Sequence, residues 1–130
     1  MSSIFTKIIN GDIPCYKIKE TEHCFAFLDI NPLQKGHTLV IPKQEVDELF
    51  YLDEEAYSIL FLEAKLIASA IKKAFPCNRI GLSVIGLEVP HAHIHLIPIN
   101  EEGDMNFANT KLNLRETEFL EIQEKISNFL

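Results

Sequence analysis

Pro90-His91-Ala92-His93-Ile94-His95-Leu96-Ile97-Pro98 alternates imidazoles with small or aliphatic residues without a break. Read as a strand over 91–97, this stretch puts three imidazoles on one face and sends Ala92, Ile94 and Leu96 into a core, because successive strand side chains point to opposite faces. At a rise of about 3.3 Å per residue, neighbouring imidazoles stand about 6.6 Å apart, within reach of one substrate. Three of the five histidines of the chain fall here, which makes a bland exposed strand face the weaker reading. Two chemistries fit the spacing equally. Alternating histidines can hold zinc with a position left open for water, or one neutral imidazole can attack phosphorus while its neighbours position groups and donate protons. His37, directly after the turn glycine Gly36, is a fourth candidate; His23, between Glu22 and Cys24, reads as a surface residue.

Working outward, the flanking segments supply a small α+β domain. Ser3 is placed to cap a short helix carrying Ile4, Phe5, Ile8 and Ile9, which stops at Asn10-Gly11. Extended segments follow over 16–20, 24–29 and 37–41, punctuated by Asn31-Pro32, Lys35-Gly36 and Pro42, in the manner of an antiparallel meander. From Asp53 the period changes: Ala56, Ile59, Leu60, Leu66, Ile67, Ala70, Ile71 and Ala74 recur at helical spacing. Asp53, Glu54 and Glu55 suit the positive end of that helix, Lys72 and Lys73 the negative end, and Pro76 blocks extension. Strands over 80–85 and 91–97, a polar loop over 100–112, and a C-terminal helix from about Arg115 with Phe119, Ile122, Ile126, Phe129 and Leu130 complete the reading.

Composition narrows the class. A chain of 130 residues with 47% apolar and 24% charged residues fits one globular domain, read as spanning 1–130. No apolar run reaches the roughly 18 residues of a membrane span, and the first residues lack a secretory pattern, so a cytosolic address and no membrane partner are expected. Cys15, Cys24 and Cys77 are widely spaced, which favours reduced thiols packed as small apolar groups over a disulfide framework or a cysteine zinc site. A formal net charge of −7 leaves no basic footprint for a nucleic acid, although a nucleotide can still be a ligand.

His91-Ala92-His93-Ile94-His95-Leu96, taken with Gly36-His37-Thr38-Leu39-Val40-Ile41-Pro42-Lys43, Phe25-Ala26-Phe27-Leu28-Asp29-Ile30-Asn31-Pro32 and Ile4-Phe5-x-Lys7-Ile8-Ile9-x-Gly11-x-Ile13-Pro14, resembles the histidine-triad (HIT) family of nucleotide hydrolases and transferases over roughly residues 4–99. The resemblance implies a five-stranded antiparallel sheet with one long helix packed on it, usually in a homodimer. It implies a metal-independent reaction, with no cofactor, on a nucleoside phosphoramidate, dinucleoside polyphosphate or related nucleotide. His93 would be the nucleophile and form a nucleotidyl-histidine intermediate. His95 would contact phosphate and leaving group, with His91 and His37 supporting the cluster. Asp29 matches the residue that holds the ribose hydroxyls, and Ile4, Phe5, Ile8, Phe27 and Ile30 match the apolar wall around the base. A nucleotide-binding regulator with weak turnover and a zinc metallohydrolase are the competing readings.

Two stretches depart from the family pattern. Where many relatives bind zinc through a Cys-x-x-Cys pair, a histidine after the Ile-Pro-Lys segment and a triad histidine, this chain carries Ser3, Thr6 and Glu45, so no structural zinc is expected. The phosphate loop is shortened to Ser83-Val84-Ile85-Gly86-Leu87-Glu88-Val89-Pro90. It keeps Gly86 but has Leu87 and Glu88 where relatives carry glutamine and a hydroxyl residue. Glu88 is expected to turn away from the phosphate or to pair with a cation, leaving Gly86 and nearby amides to bind the anion. The segment 100–130 lies outside the resemblance.

Overall fold

A computed structural model describes residues 2–130. Its elements run α1 (Ile4–Ile9), β1 (Lys17–Glu20), β2 (Cys24–Leu28), β3 (Thr38–Pro42), α2 (Glu54–Ala74), β4 (Arg79–Ser83), β5 (Ile94–Ile99) and α3 (Glu116–Ser127), with single 3-10 turns at Leu49–Tyr51 and Glu102–Met105. The five strands form one antiparallel sheet in the order β1-β2-β3-β5-β4. The α+β architecture is the expected one.

The helices form where the sequence caps them. Ser3 Oγ accepts the N–H of Thr6 at 3.1 Å at the start of α1, and Asp53 accepts that of Ala56 at 2.8 Å at the start of α2; each satisfies a donor that a helix start leaves free. The stripe of α2, namely Leu60, Ala64, Ile67, Ala70, Ile71 and Ala74, is buried against Cys24, Ala26 and Leu28 of β2, Val40 of β3, and Ala92, Ile94 and Leu96. Phe119, Ile122 and Ile126 of α3 join this core, so the C-terminal segment belongs to the same packed body. On the opposite face Phe25, Phe27, Leu39 and Ile41 pack with Phe5 of α1. The period-two alternation therefore loads both faces of the sheet, one aliphatic and one aromatic.

Three boundaries differ from the sequence reading in ways that matter for the site. The triad strand begins at Ile94 and runs to Ile99, so His91 and His93 sit in the irregular segment that leads into it. The cause is local: the carbonyl of His91 accepts from Nδ1 of His93 at 2.7 Å and the N–H of Ala92 goes to the carbonyl of Val46 at 2.7 Å, which diverts both groups from a sheet ladder. β4 ends at Ser83, which releases Val84 and Ile85 into the loop before the triad. β3 starts at Thr38, one residue after His37. The sequence reading contains neither 3-10 turn, and the second interrupts the segment expected to be loop throughout. Cys15, Cys24 and Cys77 are free thiols, with Cys24 in the core, and His23 is exposed beside Glu22. No helix among the described residues is long and apolar enough to cross a membrane.

Candidate functional site

Register assembles the histidines. Leu39 lies opposite His95 across β3 and β5, and His37, two residues earlier on the same side of the chain, reaches His95 diagonally. Gly36 makes the approach possible. Its φ of +97° is in the left-handed region, which calls for glycine, and a Cβ there would also stand close to side-chain atoms, 3.1 Å from Phe75 Cδ2 and 3.3 Å from Pro98 Cγ. All four imidazoles are buried: His91 is 0% exposed, His37 1%, His93 7% and His95 8%.

Hydrogen-bond partners assign the proton of each ring, because a backbone carbonyl only accepts and a backbone N–H only donates. The N–H of Leu33 donates to Nδ1 of His37 at 3.0 Å, so His37 carries its proton on Nε2. That Nε2–H lies 2.9 Å from Nδ1 of His95, which leaves the proton of a neutral His95 on Nε2. Nδ1 of His93 donates to the His91 carbonyl, so a neutral His93 keeps a bare lone pair on Nε2. Nε2 of His91 donates to the Pro42 carbonyl at 2.8 Å, and its Nδ1 therefore accepts from Ser3 Oγ at 2.8 Å. Two adjacent rings thus present opposite atoms: a lone pair on His93 and an N–H on His95.

Burial favours the neutral rings. It lowers the pKa of His37 to about 3, with help from the charges of His95 and Lys111, and that of His95 to about 4, with help from His93; desolvation also lowers His91. Asp29 Oδ2 stands 3.4 Å from Nε2 of His37, which in isolation suggests an ion pair. A cationic His37 would turn an N–H against the N–H of Leu33, so the contact is read as carboxylate beside neutral imidazole. Burial raises the Asp29 carboxyl, opposed by the Asn31 N–H and the charges of His93 and Lys111. Asp29 Oδ1 accepts the Asn31 N–H at 2.8 Å, so this residue both closes the turn before Pro32 and turns Oδ2 toward the histidines.

A cleft of about 500 Å³ opens over these atoms, within the range of small-molecule sites. His37, His93 and His95 line it together with Ile4, Phe5, Ile8, Phe27, Asp29, Ile30 and Gly86, so every wall residue expected from the sequence is brought to one place. His91 is not among the lining residues; it stands behind the cleft. Gly86 has φ +70° with open space where a Cβ would project, so conformation rather than crowding calls for glycine. Glu88 is exposed at the cleft wall and forms no ion pair among the described residues. Of the two expected arrangements, turned away or paired with a cation, the pairing is absent among the described residues.

Among the lining residues not expected, two come from the segment after β5. Phe107 sets its ring edge-on to His95, with centroids 4.9 Å apart, and Lys111 is the one lysine or arginine of the wall. Lys111 Nζ is held by the carbonyls of Phe107 and, at 3.1 Å, of Asn109. The N–H of Leu112 donates to Pro32 at 2.9 Å and ties the segment down. The available sequence cue is that Lys111 is the only cationic residue between Arg79 and Arg115.

Asp29, His37 and His95 offer ligand atoms close together, but the 2.9 Å between the two imidazole nitrogens is a hydrogen-bond distance. Ligands on a tetrahedral zinc at about 2.0–2.1 Å would be spaced more widely, at roughly 3.3 Å.

A HIT domain profile matches residues 10–102. An uncharacterized HIT-like protein of Borreliella burgdorferi is 38% identical, over 95% of this chain and 95% of its own. The adenosine 5'-monophosphoramidase of Schizosaccharomyces pombe is 35% identical, over 98% of each. The crystal structure of a HIT-like protein involved in cell-cycle regulation from Bartonella henselae superposes with a TM-score of 0.86 at 31% identity, covering 99% of this chain and 97% of that one. With the fold, the buried imidazole cluster and these matches in agreement, the chain belongs to the histidine-triad (HIT) family.

Proposed function

We propose that this protein is a metal-independent hydrolase or transferase that cleaves a phosphorus-containing bond of a nucleotide through a nucleotidyl-histidine intermediate. The observation that carries the reading is the proton arrangement at the cleft floor: a bare Nε2 on His93 beside an N–H on His95. Nε2 of His93 attacks the α-phosphorus, a P–N bond forms, and the bond to the leaving group breaks with its electron pair on that group. The Nε2–H of His95 supports the departing atom by a hydrogen bond. Water then attacks phosphorus, the pair of the P–N bond returns to Nε2 of His93, and the proton released by the water goes to Nε2 of His95, replacing the one passed to the departing group. The His91 carbonyl on Nδ1 of His93 steadies the positive charge that attack places on the ring.

Asp29 Oδ2 takes the ribose hydroxyls, Ile4, Phe5, Ile8, Phe27 and Ile30 enclose the base, and Gly86 with neighbouring amides approaches the phosphate. The S. pombe relative is an adenosine 5'-monophosphoramidase, which makes an adenosine phosphoramidate the first substrate to try. The whole of 1–130 acts as one unit, and the unpaired edge of β4 with exposed Leu82, together with Leu62 and Leu66 on α2, suits the homodimer that the family resemblance implies.

The test is a reaction with an adenosine phosphoramidate quenched in alkaline denaturant, which preserves a P–N bond, followed by peptide mass spectrometry at alkaline pH. An adenylyl adduct on His93, formed and discharged at the turnover rate in the presence of chelator, is the expected result. Nucleotide binding without any adduct or turnover, or activity that needs added metal, would overturn the reading.

A further inference from the structure

Behind the cleft, His91 is fully buried and does not itself line the wall, so its role must be exercised through other groups. Its Nδ1 accepts from Ser3 Oγ at 2.8 Å. A serine hydroxyl has one proton, so the 3.3 Å contact of Ser3 Oγ with Thr6 Oγ1 does not take it. Thr6 Oγ1 donates instead to Glu45 Oε1 at 2.6 Å, and the same oxygen accepts the Ser3 N–H at 2.6 Å. The N–H of Thr6 closes the ring of contacts on Ser3 Oγ at 3.1 Å. Every donor has one acceptor, and the Pro42 carbonyl on Nε2 at 2.8 Å leaves only one tautomer for His91.

These are the positions at which relatives carry zinc ligands, and the group present here does not fit zinc. Two neutral hydroxyls are not among the thiolate, imidazole and carboxylate ligands that zinc selects, and the lone pair on His91 Nδ1 is already engaged by Ser3. The same three residues nonetheless bring the start of α1, the end of β3 and the triad together. Phe5, between Ser3 and Thr6, places its ring edge-on to His93 with centroids 5.0 Å apart.

We propose that Ser3, Thr6 and Glu45 form a metal-free clamp that, with the Pro42 carbonyl fixing the Nε2–H tautomer, holds the His91 ring in place and aims its carbonyl at Nδ1 of His93, which makes Ser3 and Glu45 positioning residues for the nucleophile. The proposal rests on His93 being that nucleophile. Glu45 gathers the backbone of Ser3 and the hydroxyl of Thr6, Ser3 transmits the constraint to His91, and His91 fixes the rotation of the His93 ring. An imidazole free to rotate presents its lone pair to phosphorus only part of the time, and the loss falls on kcat rather than on substrate binding.

Nitrogen-15 NMR of the imidazoles reads the clamp independently of turnover. The expected wild-type spectrum shows His91 protonated on Nε2 and His93 on Nδ1, unchanged by an equivalent of zinc sulfate. Ser3→Ala is expected to leave His91 protonated on Nε2 toward the Pro42 carbonyl, to shift the resonance of its bare Nδ1 by removing the hydrogen bond there, and to lower kcat about tenfold with KM changed less than about threefold. Glu45→Ala acts in the same direction, whereas Glu45→Gln, which keeps an oxygen able to accept both bonds, restores most of the lost kcat. A wild-type His91 protonated on Nδ1, zinc held stoichiometrically with displacement of the Ser3 contact, a loss carried by KM alone, or wild-type kcat in folded Ser3→Ala would each overturn the clamp. The wild-type spectrum decides the matter even where a variant fails to fold. The adduct on His93, measured separately, tells failure of the clamp from failure of the proposed reaction.

Discussion

On the helix side of the sheet, the inward positions of β2, β3 and β5 hold Cys24, Ala26, Leu28, Val40, Ile94 and Leu96 against α2 and α3. On the cleft side, the alternate positions of the same strands hold Phe25, Phe27, Leu39 and Ile41, and His95 with them. The first face contains no side chain that can exchange a proton near neutral pH except the thiol of Cys24, whose pKa burial raises further. The second buries four imidazoles. One face stabilises by removing aliphatic surface from water, while the other spends part of that gain on ordering polar groups that must remain neutral and correctly protonated. The comparison teaches that residues adjacent in sequence, such as Ile94 and His95, belong to different physical problems.

Substitutions should separate the two faces. His93→Ala is expected to lower kcat by a factor of about a thousand or more while nucleotide affinity stays within about tenfold, because the covalent step is lost and the cleft wall is kept. Quenched-flow turnover beside calorimetric binding measures both, and near-wild-type turnover would remove His93 from the role. Ile67→Ala, at a fully buried position of α2, does the reverse. It should cost about 2–5 kcal/mol in urea unfolding while the folded fraction keeps kcat/KM within about twofold.

Acid should sharpen the same contrast. An unfolded imidazole titrates near 6.5, whereas His37 and His95 titrate at about 3 and about 4 in the fold. The unfolded chain therefore binds more protons between those values, so the stability they confer is complete above about pH 6.5 and is lost as pH falls toward 4. Each ring contributes at most about 1.4 kcal/mol per pH unit. Asp29, raised by burial, works in the opposite sense in the acidic part of the window. Urea midpoints from pH 7.5 to 4.5 should show this slope, and His95→Gln should reduce it by close to one proton. A flat profile would mean that the rings are hydrated and protonated in the folded protein.

How far the sequence could go follows the same division. Alternation from Ala92 to Leu96 and the stripe from Leu60 to Ala74 obey periodicities of two and 3.6, which are local, so both faces of the sheet were legible. The site was legible through spacing and family resemblance, which together named every expected wall residue from Ile4 to Ile30. Local patterns could not reveal where the His91 carbonyl goes, so the strand was expected to start three residues early. Nor could they reveal that the chain after β5 returns to the cleft: Phe107 and Lys111 arrive through the long-range bond from Leu112 to Pro32, which no periodicity encodes.

Lys111 offers a smaller effect, confined to the cleft. With Asp29 and Glu88 as the other charged wall residues, it is the only positive charge facing an anionic ligand. Lys111→Met is therefore expected to raise KM about three- to tenfold and to weaken the dependence of kcat/KM on ionic strength, with kcat changed less. Steady-state kinetics at 20 and 200 mM salt would show it. An unchanged KM would mean that the two backbone carbonyls on Nζ fully occupy its charge.

The smallest effect is expected at Glu88, where charge alone would suggest a large one. A carboxylate about 4 Å from an anionic phosphate costs about 1 kcal/mol in water and about 4 kcal/mol at an effective dielectric constant of 20. Glu88 is exposed beside Leu87, which is 89% exposed, so water surrounds this part of the loop and the lower figure is the relevant ceiling. Flexibility of the long side chain reduces it further, since nothing in the fold holds the carboxylate toward the cleft. Glu88→Gln should then change kcat/KM for an adenosine phosphoramidate by less than about threefold, under 1 kcal/mol. A rise of tenfold or more would show that the carboxylate faces the phosphate in the bound state. In that case the loop has been built to repel this substrate, and a ligand with less negative charge at that position would be the one to seek.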